Sequence, residues 1–221
     1  MIVFRERKKM MKLFTAGPSP FGRKILIALN VIGLTDNVEL VAVDTAAPDS
    51  ENRRLNPLGK IPTLVVDDNV IFDSRVIVDY LHHNSANSPL IPADNAARTK
   101  ILTRTALMDG ILDAAILVVY ESRMRPEDKY VDSFVEYQRG KIIRSLAMLE
   151  AETPVYSKGA APDIADITLA CAIDYLDFRK QVNWRDHAPS LERWITEFAA
   201  SVPSYHPSLP EGIEPAPWRT A

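Results

Sequence analysis

Apolar and polar positions keep one rhythm up to Asn84 and another beyond it. In the first stretch, "KLFT" and "VELVAVDT" read as strands. "PTLVV" and "NVIFD" are two more, joined by Asp67-Asp68-Asn69, a tight-turn signature. "SPFGRKILIALNVIG" predicts a helix with Ser19 as N-cap, Pro20 at its first position and Gly33 at its end. "APDSENRRLNPLGK" is polar and turn-rich, with room for a short helix. "SRVIVDYLHHN" predicts a helix whose Val76, Ile77, Tyr80 and Leu81 share a face. The order β-α-β-(α)-β-β-α makes one α/β unit with a mixed sheet, residues 11–84.

"SANSPLIPADN" then breaks the pattern with Ser, Asn and Pro, giving a linker over 85–92. From 93 to 221 the periodicity is helical. A long helix, "AARTKILTRTALMDGILDAAILVVYESRM", carries Gly110 inside it. A second is predicted to start at Pro126 and run to Glu152. "DIADITLACAIDYLDFRKQV" is nearly apolar along its first half, which predicts burial. "SLERWITEFAASV" is shorter and amphipathic, and the closing "PSYHPSLPEGIEPAPWRTA" has too many prolines for regular structure. The fold class is therefore α/β followed by all-α.

Composition narrows the function classes. The 221 residues are 47% hydrophobic and 25% charged, ordinary for a globular protein. A net charge of -3 gives no reason to expect nucleic acid. No apolar run is long enough for a membrane helix. The opening "MIVFRERKKM" is basic without an apolar core, and residues 1–10 are expected to be a disordered extension. A single cysteine, Cys171, excludes an internal disulfide framework or a thiolate metal cluster and suits a reducing cytoplasm.

Ser19-Pro20-Phe21-Gly22 stands between the first strand and the first helix, where a thioredoxin-like unit would carry a C-x-x-C pair. Ser19 and Gly22 fill the two cysteine positions, so dithiol exchange is excluded. Two readings of Ser19 stand side by side. It caps the helix, or its hydroxyl and the positive helix end hold a thiolate. Pro62 marks a strand start or an edge, and a cis Ile61-Pro62 bond would turn the Ile61 backbone outward for an extended peptide. Asp73-Ser74 is a natural N-cap pair, or an acceptor-donor set for the zwitterionic end of an amino acid.

"SPFGRK", "NPLGKIPTL" and "IFDSRVIVDYL" resemble, in order and spacing, the glutathione-site motifs of cytosolic glutathione transferases. The helical half is similar too, so the resemblance runs from Met11 to about Val202. It implies a thioredoxin-like glutathione-binding domain and a helical domain with a second-substrate pocket. Ser19 would then be catalytic, holding the glutathione sulfur as thiolate. Ile61, before a cis Pro62, would pair with the cysteinyl residue, Asp73 and Ser74 would hold the γ-glutamyl end, and Lys60 the glycyl carboxylate. Phe21, Tyr120 and Arg123 would line the second pocket. "PDIADITLACAIDYL" resembles the family's sixth helix, with Asp163 in place of the usual Ser or Thr cap and Asp166 completing a capping box. Asp73 stands where the family often has Glu or Gln.

The resemblance implies conjugation of glutathione, as cosubstrate and without a metal, to a small hydrophobic electrophile in a cytoplasmic homodimer. The alternative is a binding or regulatory protein on the same fold. Other residues read as structural. Cys171 is expected in the core, His82-His83 at a helix end without metal partners, and Asp109 and Asp113 on a solvated or interface face.

Overall fold

A computed structural model describes residues 10–211 apart from Thr153. Residues 1–9 and 212–221, most of the expected extension and the end of the proline-rich tail, lie outside the described residues. The chain divides into two units. One comprises residues 10–88 with Ser208–Glu211, the other Pro89–Pro207.

The first unit runs β1 (Met11–Thr15), α1 (Pro20–Val31), β2 (Val38–Ala42), α2 (Glu51–Leu55), β3 (Thr63–Val66), β4 (Asn69–Ile71) and α3 (Ser74–His83). The sheet order is β2-β1-β3-β4, with β1 parallel to β2 and the other pairs antiparallel. Leu13, Phe14 and Leu64 of the central strands are buried, as strands covered on both faces require. Pro20 opens α1 at a position whose N–H has no helical partner in any case. Gly33, at φ +70°, closes it in the left-handed conformation that glycine adopts without a Cβ clash.

The buried stripe of α3 is Ser74, Ile77, Val78 and Leu81, whereas Val76 is 52% exposed. That corrects the expected face. Spacings of three and four from Ser74 select Ile77, Val78 and Leu81, and Val76 falls on the far side of the helix. At the C-terminal end of the described chain, Ser208 Oγ accepts from Arg23 Nε at 3.0 Å.

The second unit holds α4 (Asn95–Met124), α5 (Asp132–Glu152), α6 (Ile164–Arg179) and α7 (Ser190–Ser201). The second long helix begins at Asp132, not at Pro126, which leads instead into a 3-10 turn over Glu127–Lys129. The cause lies one helix back. Glu121 accepts from Val131 N–H at 3.1 Å and from Arg125 Nε at 2.9 Å, which holds the connection in an open loop. α6 is buried along most of its length and starts at the expected capping box. Asp166 N–H donates to Asp163 Oδ1 at 2.9 Å and Asp163 N–H donates to Asp166 Oδ2 at 3.2 Å.

Tyr156, Trp194, Phe198 and Tyr205 form an aromatic cluster. The Tyr205 hydroxyl donates to Asp174 at 2.9 Å. Asp109 is fully buried, against the expectation of a solvated or interface face, while Asp113 is exposed as expected.

Candidate functional site

Strand register brings the three N-terminal motifs to one end of the sheet. Phe14 of β1 pairs with Thr63 of β3, so the turn after β1 leaves beside the segment that enters β3. Leu64 pairs with Ile71, so the chain leaving β4 toward α3 departs from that same end. Ser19, Ile61 and Asp73-Ser74 are thus carried by three segments that share one edge of the α/β unit.

Ser19 is half-buried and does cap α1, its Oγ accepting from Gly22 N–H at 3.1 Å. That bond uses a lone pair and leaves the hydroxyl proton free to donate. Gly22 is buried directly against Thr15, whose Oγ1 has no hydrogen-bond partner. A Cβ at position 22 would collide with that oxygen. Phe21 is half-buried, with the Lys24 ammonium 5.3 Å from its ring centre.

The Ile61-Pro62 bond is cis. Among the described residues nothing bonds to the Ile61 backbone, although Pro62 and Thr63 beside it are buried. The turn is held by two asparagines that sequence reading missed. Asn52 and Asn56 each donate a side-chain N–H to the Lys60 carbonyl, at 3.1 and 3.0 Å. Thr63 Oγ1 donates to the same oxygen at 3.3 Å. Both asparagines are about 1% exposed, and the only signal for them was "NRRLN" in a polar stretch. Lys60 itself projects an exposed side chain.

Asp73 caps α3, with Oδ1 accepting from Arg75 N–H at 2.9 Å. It is exposed, Ser74 beside it is buried, and the Phe72-Asp73 peptide is cis.

In the helical unit Tyr120 and Arg123 are exposed one turn apart near the end of α4. Glu121 and Arg125 pair with each other and serve the loop to α5. Tyr175 and Arg179 of α6 stand beside Tyr120 and Arg123 electrostatically, and neither was singled out from sequence. Burial pushes the Tyr175 phenol up from its ordinary pKa, while Arg179, hydrogen-bonded to it, pulls it back. Cys171 is 1% exposed. His83 Nδ1 lies 2.9 Å from the Asp79 carbonyl, a helix-end arrangement. Among the described residues no group of three His, Cys, Asp or Glu side chains is placed to hold a metal ion.

A thioredoxin-like sheet with serine where the redox pair would begin, followed by a helical unit, is the architecture of the glutathione transferases. The family descriptions "Glutathione S-transferase, N-terminal domain" and "Glutathione S-transferase, C-terminal domain" match residues 18–84 and 96–197. The chain belongs to the glutathione S-transferase family. It is 34% identical over 188 residues to the uncharacterized GST-like protein YibF of Escherichia coli K12, covering 84% of this chain and 92% of that one. A glutathione transferase family member from Pseudomonas fluorescens Pf-5, solved with bound glutathione, is 42% identical at a TM-score of 0.82. That match covers 90% of this chain and 98% of that one. A second structure described as such a family member from that organism holds S-(propanoic acid)-glutathione. It is 40% identical at a TM-score of 0.78, covering 90% of this chain and 99% of that one.

Proposed function

We propose that the protein is a glutathione transferase, which binds glutathione at the shared sheet edge and uses its thiolate to attack a small electrophile. The observation that carries the reading is Ser19. It accepts from Gly22 N–H and still keeps a proton to donate. Capping and thiolate stabilisation are compatible roles for one oxygen. A free thiol has a pKa of about 8.5, and each unit of lowering corresponds to about 1.4 kcal/mol. The Ser19 hydroxyl and the α1 N-terminus both favour the anion. The sulfur then attacks the electrophilic carbon, a C–S bond forms and the leaving group departs with its electron pair. Where the electrophile is an activated alkene, the new carbanion takes up a proton instead.

In this reading the unpaired Ile61 backbone takes the cysteinyl residue as an added strand. Asp73 and Ser74 hold the γ-glutamyl end and Lys60 the glycyl carboxylate. Phe21, Tyr120 and Arg123 serve the second substrate. The glutathione bound in the Pseudomonas fluorescens relative supports the cradle. The reading includes a cytoplasmic two-fold homodimer, the α/β half of one subunit against the helical half of the other. Exposed Leu58 and Val76 supply apolar surface for it on the α/β unit.

The test is calorimetric titration with glutathione followed by a panel of electrophiles. Micromolar to millimolar binding with turnover is expected. Folded protein that gives a flat titration at millimolar glutathione would instead be a regulatory member of the fold.

A further inference from the structure

The last turns of α4 and α6 carry two guanidinium groups with no carboxylate of their own. Arg123 and Arg179 form no ion pair among the described residues. The acidic side chains of the same turns are committed elsewhere. Glu121 is taken by Arg125 and the Val131 amide, and Asp177 by Arg185 and the Trp184 indole. A basic residue at a helix end ordinarily answers the exposed carbonyls there. Arg179 is folded back instead, its guanidinium 4.4 Å from the Phe178 ring centre and 5.3 Å from that of Tyr175. Its Nε is shielded from solvent and has no hydrogen-bond partner. Tyr120, 44% exposed, adds a phenol on the α4 side, and α4 packs along α6.

We propose that Arg123 and Arg179, with Tyr120, Tyr175 and Phe178 around them, form an anion subsite in the helical unit that takes a carboxylate carried by the second substrate. The chemistry fits one class of ligand. Both guanidinium groups act on the Tyr175 phenol and neither has a carboxylate partner among the described residues, and a guanidinium presents the planar fork that a carboxylate matches. The adjoining rings offer an apolar face for the rest of the molecule. The substrate class is therefore a small electrophile with an apolar body and a carboxylate, not a purely hydrophobic one. Assigning the carboxylate to an electrophile rests on the transferase reading above; the anion subsite does not.

The experiment compares 4-(bromomethyl)benzoate with its methyl ester, each supplied with glutathione. The reaction is the same in both: a C–S bond forms at the benzylic carbon and bromide leaves. The readout is the ratio of kcat/KM for acid over ester, so any change common to both substrates cancels. In Arg123→Gln/Arg179→Gln this ratio is expected to fall about tenfold or more, the loss of a charge-assisted contact worth at least about 1.4 kcal/mol. The Arg123→Lys/Arg179→Lys protein should retain part of the preference, because it keeps the charges. A ratio that does not move overturns the proposal and leaves the transferase reading standing. If neither substrate turns over, calorimetry with unreactive 4-nitrobenzoate decides. Binding by the wild type that the Gln double variant loses supports the subsite and leaves the transferase reading to the glutathione titration and electrophile panel, while no binding by the wild type overturns the subsite.

Discussion

At the scale of single residues, the Ser19 oxygen accepts one hydrogen bond and keeps one to give. Ser19→Ala removes both, so two measurements should move together. Stability is expected to fall by about 0.5–2 kcal/mol, read by urea denaturation. Turnover per folded molecule should fall roughly ten- to a hundredfold, matching about 1.5–3 kcal/mol for a hydrogen bond to a charged group. Thiolate absorbance of bound glutathione should show its pKa rising with the loss. Unchanged turnover with the stability loss alone would leave Ser19 as a cap only. Ser19→Cys should bring an acidified thiol to the helix start and give a mixed disulfide with oxidised glutathione, seen by mass spectrometry. Asn56 acts one step further back. Its side chain holds the Lys60 carbonyl, one peptide before Ile61. Asn56→Ala should raise KM for glutathione several-fold with kcat nearly unchanged, and cost about 1–3 kcal/mol of stability. If kcat falls instead while KM stays put, the asparagine has a role other than positioning.

At the scale of elements, the start of α6 sets two carboxylates against each other. Burial first, and then the charge of Asp163, push Asp166 from 3.8 up to about 7. Between those values the folded chain holds a proton that the unfolded chain has released. This group therefore favours the folded state at low pH, and that contribution is lost as pH rises from about 4 through about 7. Asp166→Asn should flatten that slope, because its side chain cannot ionise and its oxygen can still accept from the Asp163 amide. Urea midpoints for the two proteins should converge near pH 4 and separate by pH 8, with the variant the more stable. Parallel profiles would mean that Asp166 ionises normally.

The capping box itself was legible in "PDIAD", as were Ser19-Pro20 and Gly33, because caps are chosen by local backbone chemistry. The order of elements along the chain and the mixed character of the sheet followed from the same local punctuation, whereas the strand order β2-β1-β3-β4 did not. What stayed hidden depends on partners distant in sequence. The true start of α5 is set by Glu121, ten residues before the amide it accepts from. The burial of Asp109 and the folding back of Arg179 are products of helix packing, which periodicity does not specify. At the site, the motif residues themselves could be read, but Asn52 and Asn56 could not, since a polar stretch looks the same whether it is solvated or clamped.

At the scale of the whole molecule, the proposed homodimer has a direct test. Leu58 is 65% exposed on the α/β unit, apolar surface that the proposed partner subunit would cover. Leu58→Glu should shift sedimentation toward the monomer at micromolar protein, whereas the wild type sediments as a dimer. A wild-type monomer would sink the assembly. The division of the chain has a further consequence. Residues 208–211 belong to the α/β unit, and Arg23 of α1 donates to Ser208, 185 positions later in the chain. The α/β unit is thus completed by residues made only after 89–207 of the helical unit. At roughly 5–20 residues per second, Arg23 waits about ten to forty seconds for that partner. During that interval the nascent α/β unit lacks its final strap, and a gene cut at the linker would never supply it.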